Sequence, residues 1–334
     1  MKAVAHTRPL PITDAAALID IELPKPVPGP RDLLVRVEAI SVNPVDTKRR
    51  KDASKADDKP RVLGWDAAGV VEAVGAQVTL FKPGDAVYYA GDVTRPGANS
   101  ELHAVDERIV GRKPKSLDFA QAAAIPLTAI TAWESLFDLM KVQAGKSLLV
   151  IGGAGGVGSM GIQLAKIAGL EVIATASRPE TIAWCRELGA DHVVDHRKPL
   201  PAQLAALDRK GVDYIANFSG DLDAYWDAMA EMIAPFGRMV AIVGNARPLA
   251  SDVVRAKSVT FSWEFMFTRS RFQAPDMIEQ HRLLGQVADW LDSGKLQGTL
   301  KETLSPINAA NLRAAHARLE SGTMIGKLVL KGWS

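Results

Sequence analysis

Leu148-Leu149-Val150-Ile151-Gly152-Gly153-Ala154-Gly155-Gly156-Val157-Gly158 decides the fold of this chain. Its apolar start predicts a buried strand, and Gly153, Gly155 and Gly158 fit the spacing G-x-G-x-x-G. Val157, Met160, Leu164 and Ile167 follow at helical spacing, so the glycines join a strand to an amphipathic helix. Each glycine has its own task in such a turn. The first permits the tight turn, the second lets backbone approach a pyrophosphate, and the third lets the helix pack closely. The free N–H groups of the helix start, at Gly156 and Val157, favour an anion there. The alternative is a glycine-rich turn with no ligand.

Outward from this turn, strands and helices alternate. Strands are expected at residues 147–151, 171–176, 192–195, 212–218 and 238–243, with helices at 155–169 and 179–188. That alternation predicts a parallel sheet covered on both faces. Upstream, helices are expected at 118–125 and 128–140, with Thr131 and Glu134 at capping-box spacing. Earlier still, runs at 33–40, 69–75 and 86–89 between Pro and Gly turns predict short strands of a β-rich domain. The tail shows helices near 277–292 and 307–320 and a last strand at 327–330, read as returning to that first domain. The expected division is 1–122 with 267–334, and 123–266. The densely charged stretch Lys48 to Lys59 reads as a solvated loop.

The second strand of the alternating region sets cofactor choice. An NAD site places an acid about 20 residues beyond the glycines. Here the strand ends Ala174-Thr175-Ala176-Ser177-Arg178, with no acid before Glu180. Ser177 can donate a hydrogen bond and Arg178 can grip a phosphate, so NADPH is expected over NADH. The alternative for Arg178 is a solvated helix start.

Composition removes other classes. The chain has 334 residues, with 40 Lys plus Arg against 38 Asp plus Glu, for a net charge of +2. That balance argues against nucleic acid as a partner. The 47% hydrophobic content supports full cores. No apolar run reaches membrane-spanning length, no signal-peptide core is evident, and no C-terminal lipidation cysteine is present. Cys185 is the one cysteine, so no internal disulfide and no multi-thiolate zinc site can form. A cytoplasmic location is expected.

Taken together, these pieces resemble the medium-chain dehydrogenase/reductase superfamily. The resemblance rests on Ser41-Val42-Asn43-Pro44-Val45-Asp46, Leu63-Gly64-Trp65-Asp66-Ala67-Ala68-Gly69, Lys82-Pro83-Gly84-Asp85, the glycine turn, Leu188-Gly189-Ala190-Asp191 and Gly326-Lys327-Leu328-Val329-Leu330. It is strongest toward the quinone oxidoreductase branch and the zinc-type alcohol dehydrogenase-like proteins. The implied fold is α/β, a GroES-like β-rich catalytic domain plus a Rossmann doubly wound parallel sheet.

The chain departs from the zinc-dependent relatives. They place a cysteine at the position of Asn43 and a His-Glu pair at the position of Trp65-Asp66. The four-cysteine structural lobe is also missing. Asn43 and Trp65 are poor zinc ligands, so no metal is expected. Without a Lewis acid, either the substrate is more activated, as conjugated quinones and enones are, or hydrogen-bond donors must suffice. The expected reaction is NADPH-dependent reduction of a quinone or α,β-unsaturated carbonyl. Competing readings are a zinc-type alcohol dehydrogenase and a non-catalytic NADPH-binding protein of structural or regulatory use.

The resemblance also assigns residues. Asn43 and Asp46 face the nicotinamide, and Lys48, leaving the same strand, stands where some relatives have tyrosine. Alternatives are a helix cap for Asp46 and a solvated charge for Lys48. Thr128 is implied beside the nicotinamide carboxamide, or as an N-cap, and His196 beside the 2′-phosphate. Asn217, Ser219, Val243 and Gly244 stand at strand ends on the cofactor side, and Lys327 reaches the cofactor from the returning strand. Trp65, with Tyr88, Tyr89, Trp263, Phe265, Met266 and Phe267, supplies a flat substrate wall, ordinary core or a dimer contact. A homodimer is expected, paired through a strand near residues 260–263.

Overall fold

The computed structural model describes residues 1–53 and 59–333. The chain forms two units, residues 1–127 with 267–334, and residues 128–266. The helix Phe119–Ala123 therefore belongs whole to the first unit, and the chain leaves that unit at 127/128, not at 122/123.

The first unit is built on a seven-stranded sheet. Its order is Leu300–Leu304, Lys327–Lys331, Asp32–Ser41, Ala67–Val74, Ala86–Tyr89 and Val110–Arg112, with Leu102–Asp106 also paired to Asp32–Ser41. The pairings are antiparallel except between Leu300–Leu304 and Lys327–Lys331. A small sheet of Ile19–Glu22, Lys2–His6 and Arg61–Val62 completes the β structure. The strand Asp32–Ser41 is buried along most of its length, which is why its sequence is so apolar.

Register in this sheet brings three distant segments to one edge. Val329 pairs with Ser41 and Leu330 with Ile40, so the strand running backward from Val329 sets Lys327 opposite Asn43. On the other side Ile40 pairs with Ala67, and Ser41 N–H donates to the Asp66 carbonyl at 3.0 Å. Asn43, Asp66 and Lys327 thus lie at neighbouring ends of three adjacent strands.

The second unit is a six-stranded parallel sheet. Its order is His192–Val194, Glu171–Thr175, Ser147–Ile151, Val212–Asn217, Ile233–Ala241 and Thr260–Trp263. In chain order within the unit this is 3-2-1-4-5-6, the doubly wound order with its switch point beside the first strand. Ser147–Ile151 is buried at every position. Helices Gly156–Ile167 and Pro179–Glu187 are tied together by Trp184, whose indole N–H donates to Ser159 Oγ at 2.8 Å.

Several local expectations are corrected. The stretch from Lys48 read as a solvated loop begins instead inside the helix Pro44–Arg50. Pro44 pre-sets its first turn, and Asp46 Oδ2 accepts the Asn43 N–H at 2.6 Å. Arg50 is fully buried, donating to the Leu10 carbonyl and to Glu320, so the charge run hides an inward-facing residue. The rest of that run, residues 54–58, lies outside the described residues. Thr131 and Glu134 do not cap a helix. Thr131 sits inside Pro126–Trp133, and Glu134 opens a π-helical stretch, Glu134–Leu139. The capping box in this region is Asp118 with Gln121.

Candidate active site

The ends of the three adjacent strands carry a buried polar cluster. Asn43 Nδ2 donates to Asp66 Oδ2 at 2.8 Å and to the Trp65 carbonyl at 3.3 Å. Asn43 Oδ1 accepts from Lys327 Nζ at 2.5 Å. Lys327 Nζ also donates to the Val42 carbonyl at 2.9 Å and to Asp66 Oδ2 at 3.1 Å. Asp66 Oδ1 accepts the Leu127 N–H at 2.7 Å. Asp66 is fully buried, and Asn43, Asp46 and Lys327 are at most 3% exposed.

Charge in this cluster is uneven, with two carboxylates for one ammonium. Burial pushes the Asp66 carboxyl up, opposed by Lys327, the Asn43 amide and the Leu127 N–H. Burial pushes Asp46 up to about 7, with Asn43 N–H and Lys327 opposing and the Asp66 charge adding to the rise. Asp46 Oδ1 is buried and accepts no hydrogen bond in the structure. Asp46 also serves as the helix-capping group that was its alternative reading.

Lys48 differs from these. Its side chain is exposed on Pro44–Arg50, yet loss of surrounding water holds its ammonium below the usual lysine range. Trp65 is 3% exposed, donates its indole N–H to the Asp92 carbonyl at 3.2 Å, and meets Phe267 edge-on. Tyr88 and Tyr89 are fully buried, with hydroxyls committed to the Leu284 carbonyl and His103. They are core residues.

The glycine turn of the second unit shows what each glycine does. A Cβ on Gly158 would lie 2.1 Å from the Gly152 carbonyl oxygen, and one on Gly153 3.0 Å from both Ala174 Cβ and Cys185 Sγ. Gly152 has φ +82°, a conformation glycine permits. A Cβ on Gly155 would meet only the Gly152 oxygen, at 3.4 Å, so its outer side is open. Gly155 precedes the helix whose first residues are Gly156, Val157 and Gly158. An open approach at Gly155 before free helix N–H groups fits a pyrophosphate. Thr175, which sequence reasoning passed over as a strand residue, holds the turn: its hydroxyl accepts Gly152 N–H at 2.9 Å and its carbonyl Gly153 N–H at 3.2 Å.

Around this turn the remaining residues divide. Ser177 and Arg178 follow the second strand, half-buried, with Arg178 3.3 Å from Glu180. His196 is exposed after the third strand. Its neighbour Arg197, also unremarked in the sequence, binds Asp195 and donates to the Ser177 carbonyl at 2.9 Å. Asn217 Oδ1 accepts from Ser219 N–H at 3.0 Å and Ser219 Oγ at 2.6 Å, so these two shape the loop after the fourth strand. Val243 and Gly244 follow the fifth strand, which ends at Ala241, two residues before the expected end. Thr128 is buried in the first turn of Pro126–Trp133. Lys327 lies in the first unit, with its ammonium donating to three protein oxygens.

Known proteins match this arrangement along its length. Residues 29–115 match the alcohol dehydrogenase GroES-like domain, and residues 188–330 match the zinc-binding dehydrogenase domain. A zinc-type alcohol dehydrogenase-like protein of Staphylococcus aureus is 42% identical over 99% of both chains. The chain belongs to the zinc-type alcohol dehydrogenase-like proteins of the medium-chain dehydrogenase/reductase superfamily. A solved Rhizobium etli protein named for zinc-dependent alcohol dehydrogenases is 51% identical, covers 100% of this chain and 98% of its own, and has a TM-score of 0.94. An NADPH-dependent alkenal/one oxidoreductase of Arabidopsis thaliana is 39% identical over 65% of this chain and 56% of that protein. A quinone oxidoreductase structure from Pseudomonas syringae is 29% identical with 99% of each chain covered and a TM-score of 0.83.

The zinc in these family names does not fit this member. Where zinc-dependent relatives carry cysteine and a His-Glu pair, the structure holds an amide, an indole turned to Asp92, and a carboxylate already paired with an ammonium. Among the described residues no group of three or more His, Cys, Asp or Glu side chains is arranged to hold a metal.

Proposed function

We propose that this protein reduces a quinone or α,β-unsaturated carbonyl with NADPH and without a metal. The observation that carries the reading is the Lys327–Asn43–Asp66 cluster, which leaves no donor set for zinc at the positions of the zinc ligands. A zinc ion would polarise a simple alcohol or ketone as a Lewis acid, whereas a conjugated carbonyl spreads the developing charge through its own π system and leans less on such help.

NADPH fits the second unit, where Gly155 leaves room and Gly156, Val157 and Gly158 begin the helix. When bound, it supplies the hydride. Ser177, Arg178 and His196 receive the 2′-phosphate, and Glu180 releases Arg178 to do so. The loops after the fourth and fifth strands, at Asn217, Ser219, Val243 and Gly244, line the cofactor, with Thr128 toward the carboxamide. Asn43 and Asp46 hold the start of Pro44–Arg50, and that helix presents Lys48. Lys48, exposed on that helix, returns a proton to the reduced substrate's oxygen. Trp65 acts as an apolar backing and not as a reacting group.

No helix among the described residues is long and apolar enough to cross a membrane. The proposed substrate is a small molecule, not nucleic acid, and the proposed location is the cytoplasm. The edge strand Thr260–Trp263, with Trp263 54% exposed, supports a homodimer.

The test is a substrate panel with the purified chain. NADPH oxidation by a small quinone or a conjugated enone, without turnover of primary alcohols, supports the proposal. Binding of NADPH with no turnover across the panel favours a non-catalytic role, and alcohol oxidation that tracks bound zinc favours an alcohol dehydrogenase.

A further inference from the structure

Away from the candidate active site, one place in the first unit gathers buried nitrogen. Arg50 is fully buried at the end of Pro44–Arg50, with Nη1 donating to the Leu10 carbonyl and Nη2 to Glu320. Glu320 ends the helix Ala309–Glu320, and one turn back on the same face stands His316, also fully buried. His6 closes the strand Lys2–His6, is 6% exposed, and pairs with Arg61 in the small sheet. The Arg50 charge reaches both rings and, after burial itself, helps hold each below the ordinary histidine range.

Hydrogen bonding at this place is incomplete. Among the described residues, His6 Nδ1, Arg50 Nε and both ring nitrogens of His316 are buried without a partner. Arg50 Nε can only donate, and a neutral His316 carries one N–H of its own. Buried donors left alone are costly, and native structures hold few of them. The local charge is also unbalanced. Arg50 and Lys51 share the single carboxylate of Glu320, with Lys51 Nζ at 3.1 Å, and Arg61 adds its charge at His6. At His316 only Glu320 opposes the positive groups Arg50 and Lys51.

We propose that His6, Arg50 and His316 form a binding site for one small monatomic anion, with chloride as its ligand in solution. Such an ion accepts from Arg50 Nε and from a ring N–H together, and offsets the second cation that Glu320 leaves uncompensated. The full burial of Arg50 and His316 selects a halide over a larger oxyanion. Once bound, the ion ties Pro44–Arg50 to Ala309–Glu320 and to the first strand. The site is structural, and it stands or falls independently of the reaction proposed above.

The experiment uses the full chain without substrate or cofactor. Melting temperature is followed at constant ionic strength while chloride replaces gluconate, which is too large for a buried site. A saturable rise of about 2 °C or more is expected, as for any ligand that binds only the folded state. His316→Leu, which removes both ring nitrogens, is expected to lose the saturable part. Crystals of the unsubstituted chain grown with bromide should show one anomalous peak within hydrogen-bond reach of Arg50 Nε, and this decides the matter if His316→Leu does not accumulate folded. No saturable rise, an equal rise in folded His316→Leu, or ordered water without anomalous signal at the site overturns the proposal. A bromide peak without the melting response marks an adventitious ion only and overturns it too.

Discussion

Lys327 Nζ lies 2.5 Å from Asn43 Oδ1, and the other end of the same amide donates to Asp66 at 2.8 Å. Asn43 is therefore a two-way link between a buried cation and a buried anion. Asn43→Ala leaves both short of a partner and is expected to cost about 1–3 kcal/mol, read by urea unfolding. Turnover should fall more than NADPH affinity, because Asn43 also starts the helix carrying Lys48. Unchanged stability in this variant contradicts the network.

The glycine turn separates packing from binding. Gly158→Ala drives a methyl to within 2.1 Å of the Gly152 oxygen and is expected to destabilise the fold by about 2 kcal/mol or more. Gly155→Val faces open space, so its melting temperature should stay near that of the parent while NADPH binding, measured by fluorescence titration, weakens at least about tenfold. Equal unfolding in both variants is the contrary result.

Arg178 and Glu180 lie 3.3 Å apart, so the carboxylate competes with a 2′-phosphate for the guanidinium. Arg178→Ala should weaken NADPH and spare NADH. Glu180→Gln should do the reverse and favour NADPH by a few fold, on the scale of one exposed charge pair worth about 0.5 kcal/mol. The ratio of the two Michaelis constants checks both, and parallel changes for the two cofactors speak against the phosphate site.

Buried histidines set the acid limit. Burial, then the Arg50 charge, holds His316 down to about 4, and burial, then Arg95, holds His103 down to about 4. A histidine below its unfolded value near 6.5 favours folding when neutral. Its stabilisation is complete above about pH 6.5 and is lost progressively down to about pH 4, roughly 3 kcal/mol for each. Asp46, raised to about 7, acts oppositely: its contribution is present below about pH 4 and is lost as pH rises toward 7. His316→Leu should flatten the stability curve between pH 6.5 and 4, and Asp46→Asn should steepen it. Denaturant midpoints across that range decide; curves identical to the parent's contradict these assignments.

Legibility in the sequence followed periodicity and motif. The strand 147–151, the glycine turn and the helix after it were readable because apolar spacing and glycine chemistry are local. Short half-exposed strands such as Ile19–Glu22 and Leu300–Leu304 were not, since four or five residues of alternation look like a loop. Asn43 and Asp46 were found from their motif, but Asp66 was noted only as a departure from one. Its role depends on register: Ser41 beside Asp66 on one side and beside Val329 on the other. For the same reason the sequence did not show that the Lys327 amine donates to three oxygens of its own unit. Arg50 was hidden in a charge run because charge alone does not say which way a helix faces.

The most direct measurement is NADPH consumption by the purified chain after exhaustive dialysis against a zinc chelator, with a small quinone and a conjugated enone as acceptors. The account predicts full activity with both metal content and added zinc irrelevant. Activity that disappears on chelation and returns with one equivalent of zinc contradicts it.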